Sequence, residues 1–214
     1  HHQADSTGNR CVACHMPMTE FARMQRSDHS MRPPMPAATL AFKSPNACNL
    51  CHADQDAAWS DRYVRKWRTR DYQAPVLLVA SLVAAARQGD WTRLPEMLAY
   101  ITSTERDEIF ATALVRLVRG CEDERKWPAL LKALKDASPL VRASAAEGLD
   151  GYLMAESVAA LLGATGDEYR LVRVRAAAVL AALSAGDLPD KPRQDLERAT
   201  NELLALSRAR PDDS

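Results

Sequence analysis

This sequence is poor in cysteine and histidine and has no net charge. Its 214 residues contain five cysteines and five histidines, and its 28 basic residues are matched by 28 acidic ones. The charge balance leaves no global field to draw the chain to nucleic acid or to an anionic membrane. A long hydrophobic run is also missing. The longest, Ala74 to Ala86, is interrupted by Pro75 and Ser81 and ends at Arg87, which is too short to span a bilayer. Histidine is absent from residues 57 to 214, and no glycine-rich phosphate loop occurs there, which argues against a hydrolase in that part. The hydrophobic share of 47% is ample for a core, and the length suits one large or two small domains.

What the chain does have is concentrated. Cys11-Val12-Ala13-Cys14-His15 is echoed by Cys48-Asn49-Leu50-Cys51-His52, so four of the five cysteines stand in pairs three apart, each followed at once by histidine. Covalent haem attachment asks for this pattern: both thiols add to porphyrin vinyl groups and the adjacent imidazole reaches the iron. The spacing fits one helical turn, which puts sulfurs and imidazole on the same side of the backbone. A zinc site, a redox dithiol or a disulfide also needs two near thiols, but none needs the histidine. The alternative kept open is a zinc-binding helical-repeat scaffold without redox activity, in which Cys11, Cys14, Cys48 and Cys51 hold one ion. The 33 residues between the pairs exceed the usual zinc-ribbon gap, and that reading leaves His15 and His52 idle.

The texture changes near residue 57. Residues 1–56 hold all the histidines, five of the seven methionines and five prolines, without a convincing amphipathic period. Such a segment buries too little apolar side-chain surface to order itself, so the expectation is a dihaem c-type segment whose cofactors serve as its core. Residues 57–214 read as a helical-repeat domain. Leu78-Val79, Ile109-Phe110, Leu140-Val141 and Leu171-Val172 recur every 31 residues, each opening a helix. Ile109, Phe110, Ala113, Leu114, Leu117 and Val118 make one expected apolar stripe; Leu78, Val79, Leu82, Val83 and Ala86 make its counterpart. LVRASAAEGL from Leu140 and LVRVRAAAVL from Leu171, preceded by Asp136 and Asp167, resemble HEAT repeats. The fold class expected is mostly α: an irregular haem-wrapped N-terminal segment followed by an α-solenoid of HEAT-like helix pairs, with an irregular bundle as the alternative.

CVACHMP, then Arg26-Ser27-Asp28-His29-Ser30, then Pro33, Pro34, Pro36 and SPNACNLCHADQDAAW, resemble the paired motifs of multihaem cytochromes c. A similar order occurs in the last haem pair of the cytochrome c nitrite reductase family. The resemblance covers residues 1 to 70. It implies two haem c groups, thioether attachment at Cys11, Cys14, Cys48 and Cys51, and proximal ligation by His15 and His52. It does not imply nitrite reduction, because that family's catalytic haem is not among these motifs.

The sixth ligand separates electron transfer from catalysis, since an iron with two strong axial ligands has no vacant position for substrate. His29 and His2 are the candidate distal ligands. Met16, Met18, Met24, Met31 and Met35 are weaker ones that would raise the potential. Trp59, Tyr63 and Trp67, at i, i+4 and i+8, read either as a wall against haem or as the first helix of the repeat core. Arg62, Arg65, Lys66, Arg68 and Arg70 around them read as a solvated face or as a clamp on haem propionates. Cys121 is left without a partner cysteine and reads as an idle thiol. The expected role is electron transfer rather than enzyme catalysis. The expected partners are a redox protein or other haem domains of a parent chain, with no nucleic acid and no membrane span. Thioether haem is attached after export, so a periplasmic or extracellular location is expected, and the His1-His2 start reads as a mature or clipped piece, or as a tag remnant.

Overall fold

Each of the two Cys-x-x-Cys pairs spans one helical turn in the computed structural model, which describes residues 2–183 and 188–209. A 3-10 turn at Thr7–Asn9 leads into α1 (Cys11–His15), and a hairpin of β1 (Met18–Phe21) and β2 (Met24–Ser27) follows. The hairpin pairs Met18 with Ser27 and Phe21 with Met24. Its two-residue turn, Ala22-Arg23, has both φ values positive (48° and 64°), the mirror-image turn geometry that suits the twist of paired strands. Three helices complete this part: α2 (Pro36–Phe42), α3 (Ala47–Cys51) and α4 (Ala57–Trp67).

The chain divides into two compact units, residues 1–78 and 79–214, and the division falls inside α5 (Gln73–Arg87). The first unit continues past the compositional change at residue 57 because later side chains tie earlier backbone. Gln73, almost fully buried, accepts from the Ala37 N–H at the start of α2 (3.0 Å) and donates to Asp61 of α4 (2.8 Å). Tyr72 donates its hydroxyl to the Pro34 carbonyl at 2.5 Å. Few apolar groups are buried here. Among the described residues of this unit they are Pro36, Ala37, Ala47 and Val64.

The second unit is a stack of helix pairs: α6 (Leu94–Thr102), α7 (Glu108–Val118), α8 (Lys126–Ala133), α9 (Pro139–Gly148), α10 (Ala155–Ala164), α11 (Arg170–Val179) and α12 (Asp190–Ala209). Helices α7, α9, α11 and α12 pack in series, with α6 on α8 and α10 against α11 and α12. The core is continuous through Leu94, Met97, Leu114, Leu130, Val141, Leu161 and Val172, all fully buried. Cys121 belongs to this core. The Lys126 ammonium beside it donates to the Arg119 and Cys121 carbonyls, closing the end of α7.

The 31-residue pairs are real markers, but the buried row begins at their second member. Leu78, Ile109, Leu140 and Leu171 are exposed, whereas Val79, Val141 and Val172 are buried and Phe110 is half-buried. In α7 the buried row is Ala111, Leu114, Val115 and Val118: of the expected stripe, Leu114 and Val118 are buried, Phe110, Ala113 and Leu117 are half-buried, and Ile109 is exposed because a turn of 3.6 residues carries it off the inner face. The arginine of Leu-Val-Arg links the repeats. Arg142 donates to the Asp136 and Ala137 carbonyls of its own turn and, through two nitrogens, to Asp167 of the next (2.8 and 3.0 Å). Arg173 repeats this with the Asp167 and Glu168 carbonyls and with Glu202. Burial pushes the Asp167 carboxyl up, but the hydrogen bonds from Arg142 and the Tyr169 N–H outweigh it and hold it below its ordinary range. Among the described residues no helix is long and apolar enough to cross a membrane.

Candidate haem site

The first unit encloses a cavity of about 540 Å³, and both Cys-x-x-Cys-His motifs line it. Cys11, Cys14 and His15 come from α1, and Cys48, Cys51 and His52 from α3 and the residue after it. The fold brings all six of these side chains to one hollow, together with His2. Its volume lies in the range of pockets that enclose an organic ligand.

Part of its lining is aromatic. Trp59, Tyr63 and Trp67, one face of α4, follow the His52 ring in a ladder with centroid separations of 4.8, 4.6 and 5.7 Å. The buried residues of α4, Ser60 and Val64, line the cavity beside this stripe. This arrangement of thiols, imidazoles and flat apolar walls fits a large planar aromatic group bonded through sulfur.

The polar neighbours orient the motif residues. The Met31 carbonyl lies 3.2 Å from His15 Nδ1. A carbonyl can only accept, so Nδ1 is the donor in this contact and Nε2 is the nitrogen left for a metal, the arrangement usual for a metal-bound imidazole. Asn49, inside the second motif, is the hub of its side. Its N–H donates to the Asn46 cap, its side-chain amide donates to the Gln55 carbonyl at 2.7 Å and the His52 carbonyl at 3.3 Å, and it accepts from Ser60 of α4 at 3.1 Å. Burial, and then the charges of Cys51 and Cys11, push the Cys14 thiol up. Burial followed by Cys14 does the same for Cys48, against a lowering hydrogen bond from Ser60. Neither is the depressed thiol of a redox dithiol.

The candidate distal ligands fall in different places. The His2 ring stacks on His52 with centroids 6.0 Å apart and planes at 26°. Gly8 makes room for it: a Cβ there would stand 2.5 Å from the His2 ring. The neighbouring His1 lies outside the described residues. His29 is exposed and does not line this cavity. Its neighbours Asp28 and Ser30, joined by a 2.8 Å hydrogen bond, line a smaller hollow of about 230 Å³ that also meets Cys14. Of the five methionines, none lines the larger cavity and Met35 lines the smaller one.

Among the five cationic side chains around the aromatic stripe, Arg68 lines the cavity, and Arg65 is engaged with Asp61 and Asp71. Arg10 and Tyr72 line it too, and sequence reasoning missed both. Arg10 directly precedes the first motif, a position that could have flagged it; Tyr72 had no local signal. Among the described residues no three His, Cys, Asp or Glu side chains are grouped to hold a metal ion.

Residues 1–92 match the family described as cytochrome c552, and residues 127–214 match HEAT repeats. The chain is therefore similar to a cytochrome c in its first part and to helical repeats in its last; the cytochrome family implies covalently bound haem c, so the zinc scaffold is not favoured. No curated protein and no solved structure gives a significant match.

Proposed function

We propose that the first unit is a c-type cytochrome module carrying two haems and working in electron transfer. Thioether bonds at Cys11 and Cys14 hold one, and those at Cys48 and Cys51 the other, with His15 and His52 as proximal ligands. The single observation that carries this reading is the gathering of both motifs on one aromatic-walled cavity. Bound haem supplies reversible one-electron chemistry at iron.

The chain's own residues prepare that chemistry. The Met31 carbonyl fixes the tautomer of His15, and the Asn49 network fixes the backbone at His52. Trp59, Tyr63 and Trp67 keep water from the cavity wall, and Arg10 and Arg68 offset the charge of propionates. His2, whose ring stacks on His52, would be the further histidine holding the haem at the second motif, and His29, which lies away from this cavity, would serve another haem. An iron held by two histidines would have no vacant position for substrate, which suits a carrier in preference to an enzyme. Export to the periplasm or beyond follows from the mode of attachment. The helical repeats dock a redox partner or other haem domains of a parent chain.

The test is the visible spectrum of protein made in a host that matures cytochromes c. Low-spin c-type bands are expected, and His2→Ala should leave one haem able to bind carbon monoxide. A His2→Ala protein whose haems all stay low-spin and unreactive removes His2 from the ligand set.

A further inference from the structure

The second unit contains a hollow that the haem reading does not use. Its volume is about 610 Å³, and it lies where the ends of α6 and α8 meet the starts of α7 and α9. Ser138, on its lining, stands at the N-cap of α9, is 8% exposed, and makes no capping bond. Its hydroxyl oxygen is a buried side-chain atom with no hydrogen-bond partner among the described residues. A buried hydroxyl left unpaired is costly, so one on a cavity wall marks a place where a ligand group can meet it.

The surroundings say what that group is. Pro139 at the first position of α9 has no N–H, Asp136 accepts from the Ser138 N–H, and the Leu140 and Val141 N–H groups have no protein acceptor among the described residues. A helix start with free amides favours negative charge. Lys132 and Lys135 line the hollow, are exposed, and have no acidic partner among the described residues. Arg106 and Asp136 also line it but neutralise each other in an ion pair, leaving two lysines against Glu108, a surplus of one positive charge. One surplus charge suits a carboxylate better than a doubly charged phosphate. Ile109 and Leu140, 57% and 37% exposed, open the helices on either side. Neither lines the hollow; each follows a lining residue, Glu108 or Pro139, and offers apolar contact outside it.

We propose that this hollow binds the carboxylate of a glutamate or aspartate in a partner polypeptide whose flanking residues are apolar. The carboxylate accepts from the Ser138 hydroxyl and the first free amides of α9, and Lys132 and Lys135 supply the countercharge.

The probe is acetyl-Leu-Glu-Leu-amide, titrated into the full haem-bearing chain labelled with ¹⁵N. Acetyl-Leu-Gln-Leu-amide, acetate and inorganic phosphate are titrated in parallel. The glutamate peptide should move the amide signals of Ser138, Leu140 and Val141 and bind about tenfold more tightly than its glutamine counterpart and than acetate, the effect of one charge-assisted hydrogen-bonded group. Ser138→Ala should weaken it about tenfold while leaving the thermal midpoint unchanged or raised, because an unpartnered hydroxyl is removed. Lys135→Gln, at an exposed position that cannot disturb the fold, should weaken it several-fold. Equal binding of the two peptides, acetate binding as tightly, tighter binding of phosphate, or no shift at α9 would each overturn the proposal. So would a Ser138→Ala protein with a lowered midpoint and unchanged binding, which would make the hydroxyl a structural cap.

Discussion

The two units solve the problem of a core in opposite ways. Residues 79–214 bury leucine, valine, isoleucine and methionine in an unbroken interior, while residues 1–78 bury Ala37, Ala47 and Val64 and leave Met18, Met24, Met31, Phe42, Tyr63 and Trp67 exposed. Two alanines, one valine and the buried Pro36 cannot offset the conformational entropy of so long a segment, which runs at about 1–2 kcal/mol per residue for the backbone alone. The first unit instead relies on a hollow with aromatic walls and thiols at its edge. The lesson is that missing apolar core can itself point to a cofactor, when the exposed aromatic groups converge on one cavity.

The largest expected effect breaks this comparison directly. Replacing Cys11, Cys14, Cys48 and Cys51 with serine should leave a cooperative helical transition by circular dichroism, contributed by the repeats, and make residues 1–56 readily cleaved by protease. Loss of the helical transition would mean that the haems are the core of the whole molecule. In the second unit, Leu114→Ala should cost about 3 kcal/mol of that transition and leave the haem spectrum unchanged, because it opens a cavity in a dry, fully buried site. Arg142→Gln should cost about 2–3 kcal/mol by leaving Asp167 and two turn carbonyls without their donor.

Acid should separate the units more gently. The Arg173 hydrogen bond chiefly holds the Glu202 carboxyl below its ordinary value of 4.5; for Asp167, burial raises the carboxyl but its hydrogen bonds prevail and hold it below 3.8. Both carboxyls are depressed in the folded state, so their contribution is fully present above those ordinary values and is lost as pH falls through the lower, folded ones. The melting temperature of the repeats should therefore decline below about pH 4.5, and Arg173→Gln should flatten that decline. A melting temperature insensitive to acid would show that these pairs carry no stability.

The smallest effect expected is local. Gly8→Ala should displace the exposed His2 ring and weaken the low-spin signature of one haem, with no measurable change in the repeats. An unchanged spectrum would indicate that His2 does not need this packing.

Much of this arrangement is legible in the chain itself, for physical reasons that differ by element. The Cys-x-x-Cys-His motifs specify one helical turn by their own spacing, and α1 and α3 are those turns. The repeat interval is visible because helices that complete one another's core must recur at a fixed distance. Its exact inner face was not, since Ile109 and Leu140 are apolar yet exposed at helix starts. The β1–β2 hairpin gave no sign, because Ala22-Arg23 lacks the glycine or asparagine that usually marks such a turn. Nor did the bonds from Tyr72 to Pro34 and from Gln73 to Ala37 and Asp61, which join residues far apart in the chain and leave no periodic trace. The same holds for the stacking of His2 on His52.

The central claim, two haems held covalently on one cavity, is tested most directly by mass spectrometry of the denatured, protease-digested protein from a maturation-competent host. One haem adduct on the peptide containing Cys11 and Cys14 and another on that containing Cys48 and Cys51 are the predicted result; both peptides at their unmodified masses would contradict it.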